Sequence, residues 1–252
     1  MEFFKSKWFK VFAGVTGAVL LFILLGVYEY YCGNIFVAMT AKAEVAEYIA
    51  EKYPDNDYEI SDAKFVYDPY DGSFYGCRVT DPNSIDGSFD AKYYSKTSFF
   101  FLNFSGECTI TDTYEYDVTY RHNTFYRLEE LLKDELRPVL DTYTKDGEFE
   151  YIIPGLLYDM ETDRSRLSLN MLCDTKNMPL DTDMGVRFVC SPSEGLKRIQ
   201  EVADVVQELG YRIDYYTIDI KDGNEYYSYW QVPREELVKA TCIDDLLEYI
   251  VC

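Results

Sequence analysis

Few residues in this chain have both the type and the spacing for chemistry. Ser61 and Lys64 form S-x-x-K, the spacing of a serine acyl-enzyme whose lysine assists the nucleophile. The pair falls inside a strand pattern rather than at a helix start. No S-D-N follows, and Lys96-Thr97-Ser98 does not supply K-T-G. His122 is the single imidazole, so any Ser or Cys nucleophile needing a histidine base must meet it there. It stands beside Arg121 just before a helical pattern, where a surface or capping role is expected. There is no G-x-S-x-G elbow, phosphate-cradling glycine loop or dinucleotide fingerprint. The expectation is therefore a protein that is not an enzyme, with no catalytic or cofactor-binding residues.

Metal binding fares no better. Asp68, Asp71, Asp86 and Asp90 flank turns that border adjacent strands, and calcium is the cation such oxygens would take. None fits the spacing of an EF-hand loop, and Asp suits turns by itself. The seven cysteines, Cys32, Cys77, Cys108, Cys173, Cys190, Cys242 and Cys252, show no C-x-x-C pair. No metal site and no cofactor are expected. In an exported body some cysteines would pair, and the odd count leaves at least one thiol over.

The elements that carry these residues start with a membrane span. Val11 to Val27 is seventeen residues without a charge. Trp8 and Phe9 precede it and Tyr28 follows, as interfacial aromatics do. Lys5, Lys7 and Lys10 lie before it, and the first charge after it is Glu29. With its flanks it reaches the roughly 20 residues that cross a bilayer. The lysines predict a cytoplasmic N-terminus and an extracellular body. A cleaved signal peptide has a shorter apolar region and a small-residue exit, whereas the exit here reads Tyr28-Glu29-Tyr30-Tyr31-Cys32. An uncleaved signal anchor in the cell membrane is expected. Gly14 and Ala18 make a small-xxx-small pair.

Residues 1–28 carry +2 and residues 29–252 carry −23. That acidity disfavours nucleic acid and anionic lipid as partners of the body. Tyr is abundant, at 25 residues, and falls mostly in period-two runs that suit half-buried antiparallel strands.

The predicted fold class is α+β in three parts: an anchor over 1–31, a helix-plus-antiparallel-meander domain over 34–145, and a smaller β-α-β-β domain over 146–252. In the first domain a helix runs from Ile35 to Lys52, its apolar face read as Phe36, Met39, Ala43, Ala46 and Ala50. Strands follow around Tyr58–Tyr67, with a parity shift at Asp62-Ala63, then Tyr75–Val79, Phe89–Tyr93, Thr97–Phe104 and Glu107–Thr113. A second helix is read over Asn123–Leu140, kinked or shortened by Pro138, and Thr142–Glu148 is read as the interdomain link. The second domain begins with strand Phe149–Ile153. Strand Gly185–Cys190 then leads to a helix opened by Ser191-Pro192-Ser193-Glu194, a capping-box sequence, and closed by Gly210. Strand Tyr211–Ile220, a hairpin turn at Lys221–Asn224, strand Glu225–Val232 and a short helix near Ile243–Val251 complete it.

On these residues the chain resembles the YfjL-like proteins of Gram-positive bacteria. The resemblance rests on the span and the helix ending Glu51-Lys52-Tyr53-Pro54. It rests also on Tyr75-Gly76-Cys77-Arg78-Val79-Thr80-Asp81-Pro82 with Asp86-Gly87-Ser88-Phe89. The last element is Thr111-Asp112-Thr113-Tyr114 followed by Asn123-Thr124 and Arg127-Leu128. It implies a small membrane-anchored protein and this order of elements, and it supplies no catalytic residues. The expected role is a single-pass binding or sensing module at the cell surface, its partner an envelope protein or a cell-wall ligand. The alternatives are an envelope hydrolase using paired carboxylates, and an accessory or inhibitory subunit of a membrane complex.

Overall fold

The computed structural model describes residues 7–70, 72–95, 108–144 and 149–251. Lys5, Asp71, Cys252, the strand expected over Thr97–Phe104 and the last residues of the expected link, 145–148, lie outside them. The chain divides into two compact units, Met1–Thr119 and Tyr120–Cys252.

The first unit opens with helix α1, Lys7–Cys32, which is long and apolar enough to cross a membrane. Its large side chains from Phe12 to Leu24 are all more than half exposed. Only Gly33 and Asn34 separate α1 from α2, Ile35–Lys52. Gly33 has φ 75°, and a Cβ there would lie 2.5 Å from the Phe65 ring, so both backbone and space demand glycine. Asn34 caps α2 by accepting from the Phe36 amide, while its own amide donates to the Tyr75 hydroxyl at 2.7 Å.

The bounds of α2 agree with the apolar period, but its buried face does not. Ala41, Val45 and Ile49 are buried, whereas Phe36 and Met39 are exposed. In so alanine-rich a helix, the branched Val45 and Ile49 bury more apolar area and decide which face meets the sheet. That face packs on β3, Phe74–Thr80, and β4, Phe89–Ser95, which contribute Cys77, Val79, Phe89 and Ala91 to the core. The sheet is antiparallel throughout. β1, Glu59–Ile60, and β2, Lys64–Val66, share one edge of β3, and β5, Cys108–Asp112, closes the other side of β4. The expected parity shift is the break between β1 and β2.

In the second unit α3, His122–Thr144, packs on β6, Phe149–Leu156, through Leu128, Leu132, Leu136 and Leu140. The boundary between units therefore falls ahead of α3, not at Thr142–Glu148, because this leucine stripe buries against the second sheet. Pro138 lies within α3 without ending it. Pro154 likewise sits inside β6, which extends past Ile153. β6 is an edge strand, where a missing amide donor can face away from the ladder. The expected β-α-β-β unit is present as β7, Thr182–Phe188, α4, Pro192–Glu208, β8, Tyr215–Asp222, and β9, Glu225–Pro233. The sheet order is β6-β7-β8-β9, with β7 and β8 parallel and the other pairs antiparallel.

Ser191 precedes α4 as expected, but its side chain makes no capping bond. Its carbonyl instead receives the amides of Glu194 and Gly195. Gly210, at φ 89°, ends the helix region. A further short helix α5, Arg234–Lys239, went unread, and the last expected helix is the 3-10 stretch Ile243–Tyr249.

Candidate functional site

Alternation within the second sheet separates two faces. Met184, Val186 and Phe188 on β7, and Tyr216, Ile218 and Ile220 on β8, point into one core that also takes the stripes of α3 and α4. The opposite face carries Asp183, Gly185 and Arg187 from β7 and Thr217 and Asp219 from β8, all half-buried. Tyr226 and Trp230 of β9 add rings that are 54 % and 58 % exposed, and Ile153 of β6 is 50 % exposed.

Register aligns Arg187 and Asp219 with one residue from each edge strand. Tyr151 is the Cα partner of Arg187, Arg187 of Asp219, and Asp219 of Ser228, so one row crosses all four strands. Their side chains bond along that row. Asp219 Oδ2 accepts from Tyr151 Oη at 3.0 Å and from Arg187 Nη2 at 3.1 Å, and Oδ1 accepts from Ser228 Oγ at 2.7 Å. The Arg187 guanidinium carbon lies 5.0 Å from the Tyr151 ring centre and 5.8 Å from that of Tyr226, while Nη2 also donates to the Tyr226 hydroxyl. Burial pushes the Asp219 carboxyl up, but the bonds from Ser228, Arg187 and Tyr151 outweigh it and hold the group below its ordinary value.

Asp183 stands further along the same face. Its Oδ2 accepts from Thr217 Oγ1 at 3.0 Å, but Oδ1 is buried with no partner among the described residues. Burial keeps this carboxyl above its ordinary value. Opposite shifts on two carboxylates are the pattern of an acid and a base. Here Asp183 aligns with Tyr215 of β8, four residues from Asp219, a separation of about 13 Å along the strands. That is the spacing of their backbone positions; the carboxyl groups lie closer, because Asp183 leans onto Thr217, two residues from Asp219. The face offers ring surfaces beside fixed, charge-assisted hydrogen-bonding groups, an arrangement suited to binding.

The residues singled out from sequence do not gather here. Ser61 Oγ accepts from the Arg78 amide at 2.9 Å, tying the chain after β1 to β3, while Lys64 pairs with Gly76 in β2. His122 is buried rather than at the surface. Its ring lies 5.4 Å from that of Tyr158 and 5.8 Å from that of Tyr126. All six described cysteines are free, and burial pushes the thiols of Cys77 and Cys173 up, away from the reactive thiolate. Asp90 pairs with Arg78, and among the described residues no group of three or more His, Cys, Asp or Glu side chains is placed to hold a metal. The Tyr151–Arg187–Asp219–Ser228 row was missed because only register brings these positions together. The period-two placement of the tyrosines was its one visible signal.

A long apolar helix, an antiparallel meander and a second four-stranded sheet with a ring-bearing outer face define a mixed helix-and-sheet protein of two units. Residues 6–101 match the family described as YfjL-like, N-terminal domain, so that region is similar to those proteins. No curated protein and no solved structure matches the chain.

Proposed function

We propose that this is a single-pass membrane protein of a Gram-positive envelope, with a cytoplasmic N-terminus and both units outside, that binds cell-wall glycan on the outer face of its second sheet. The observation that carries the reading is the exposed Tyr226 ring, whose hydroxyl accepts from Arg187 of the bonded Arg187–Asp219 pair, with the exposed Trp230 ring further along β9. Sugar rings present C–H faces that stack on aromatic rings and hydroxyls that bond to charged groups at their edges. The exposed apolar length of α1, with Lys7 and Lys10 at its start, supports the anchor and its direction. The acidic body, which anionic lipid would repel, suits a solvated position off the membrane.

Two measurements test it. Protease added to intact cells stripped of wall should remove a C-terminal epitope; protection until lysis would reverse the orientation. The full chain in detergent should then co-sediment with purified cell-wall glycan, and Tyr226→Ala with Trp230→Ala should abolish this while the variant still unfolds cooperatively. Equal sedimentation of the double variant would sink the glycan assignment. Capture of an envelope protein with glycan left in the supernatant would also overturn it, and would give the face to a protein partner.

A further inference from the structure

The second unit has a cavity of about 710 Å³ where the end of α4, the start of β8 and the start of α5 meet. Three cations line it: Lys176, Arg212 and Arg234. They stand out against their surroundings, because residues 120–252 hold fifteen Lys and Arg against twenty-seven Asp and Glu. Asn177, Gln207 and Tyr215 add neutral hydrogen-bonding groups.

Two carboxylates also line the cavity, Asp214 and Glu235. Asp214 is occupied, since Oδ2 accepts from the Thr182 amide at 2.9 Å and from Arg212 Nε at 3.2 Å. Glu235 is exposed. Arg212 is matched by Asp214 and the Leu180 carbonyl, and the other two cations are less fully matched. Arg234 Nε is buried with no hydrogen-bond partner among the described residues, and Nη2 reaches Asp204 only at 3.6 Å. Lys176 Nζ rests 5.3 Å from the centre of the Tyr211 ring. Its stem crosses Gly210, where a Cβ would come within 3.5 Å of Lys176 Cδ. Glycine is required at this position by φ 89°.

We infer that this cavity binds a phosphorylated small molecule, with Arg234 and Lys176 holding the phosphate. Guanidinium and ammonium together offer the bidentate and point-charge donors that phosphate oxygens accept. The volume lies within the usual range for organic ligands and is far larger than a bare phosphate needs, so the remainder accommodates a polar organic portion. The site is separate from the ring-bearing sheet face and does not depend on it.

The test is calorimetric titration of the full chain in detergent with ribose 5-phosphate, using ribose and sodium chloride as controls. Saturable binding is expected, at least tenfold tighter than for ribose, with inorganic phosphate competing. Lys176→Gln with Arg234→Gln should weaken it at least tenfold, while Trp230→Ala leaves it unchanged. Lys176→Gln alone, at an exposed position, gives the same reading in smaller measure should the double variant fail to fold. Absence of saturable binding, equal affinity for ribose, or unchanged affinity in Lys176→Gln would each overturn the inference.

Discussion

Arg187 Nη2 lies 3.1 Å from Asp219 Oδ2, and the same two residues are Cα partners across the parallel pair β7 and β8. The ion pair is therefore fixed by the sheet ladder itself. Neither long side chain has to search for the other, which removes much of the entropy cost that makes most surface pairs weak.

Arg187→Ala would leave the Asp219 side chain, 13 % exposed, bonded to Ser228 and Tyr151 without a cation. A loss of about 1–3 kcal/mol is expected in denaturant unfolding of the full chain. Arg187→Lys should recover only part of it, because lysine lacks the planar group that lies between Tyr151 and Tyr226. Full recovery by lysine would show that charge alone matters there.

In the first unit Asp112 ties β5 to α2. It accepts from Lys52 Nζ at 2.8 Å, from Tyr48 Oη at 2.7 Å and from Tyr53 Oη at 3.1 Å. Burial raises its pKa, but the bonds from Lys52, Tyr48 and the Tyr114 amide prevail and hold it below the ordinary carboxylate value. The stability it contributes is present above the unfolded value, about 3.9, and is lost as pH falls through the lower folded value. Burial pushes the Tyr53 hydroxyl up to about 12. Stability should therefore also fall as pH rises from about 10 towards 12. Thermal unfolding across pH should show both arms, and Asp112→Asn should flatten the acid arm.

Asp183 has the opposite sign. Its folded pKa is raised by burial, so its ionised form opposes folding at neutral pH and ceases to do so below the unfolded value. Asp183→Asn is expected to raise stability at pH 7 by about 1 kcal/mol. The gain should shrink as pH falls towards 4. A lower melting temperature for the variant at pH 7 would show that the carboxylate is matched by a group that only the folded protein recruits.

Gly33→Ala places a Cβ against Phe65 at a backbone angle that L-residues avoid. It should destabilise the first unit by more than about 1 kcal/mol. Limited proteolysis should show earlier cleavage near residues 33–34 in the variant. Pairing it with Phe65→Ala, which removes the clash but not the strain of φ 75°, should restore only part of the loss.

Elements with a strong local signature were legible in the sequence. Ile35–Lys52 emerged with its observed bounds because an apolar period and Tyr53-Pro54 agree there. The strand break at Asp62-Ala63 showed as a parity shift. Assignments that depend on distant partners were not legible. The α3 leucines reveal a stripe but not which sheet it covers, so the unit boundary was misplaced. His122 next to Arg121 reads as surface, and the Tyr158 ring that packs on it comes thirty-six residues later. The Asp219 row required the registers of three strand pairs, which no local pattern encodes.

The two-residue connection at Gly33-Asn34 sets how far the first unit can stand from α1. Two residues extend no more than about 7 Å, and Asn34 is bonded at its backbone amide to Tyr75 of the folded unit. With α1 as the proposed anchor, the first unit is held as on a short post, not on a tether. Whatever that unit touches must therefore lie in a thin layer along the bilayer.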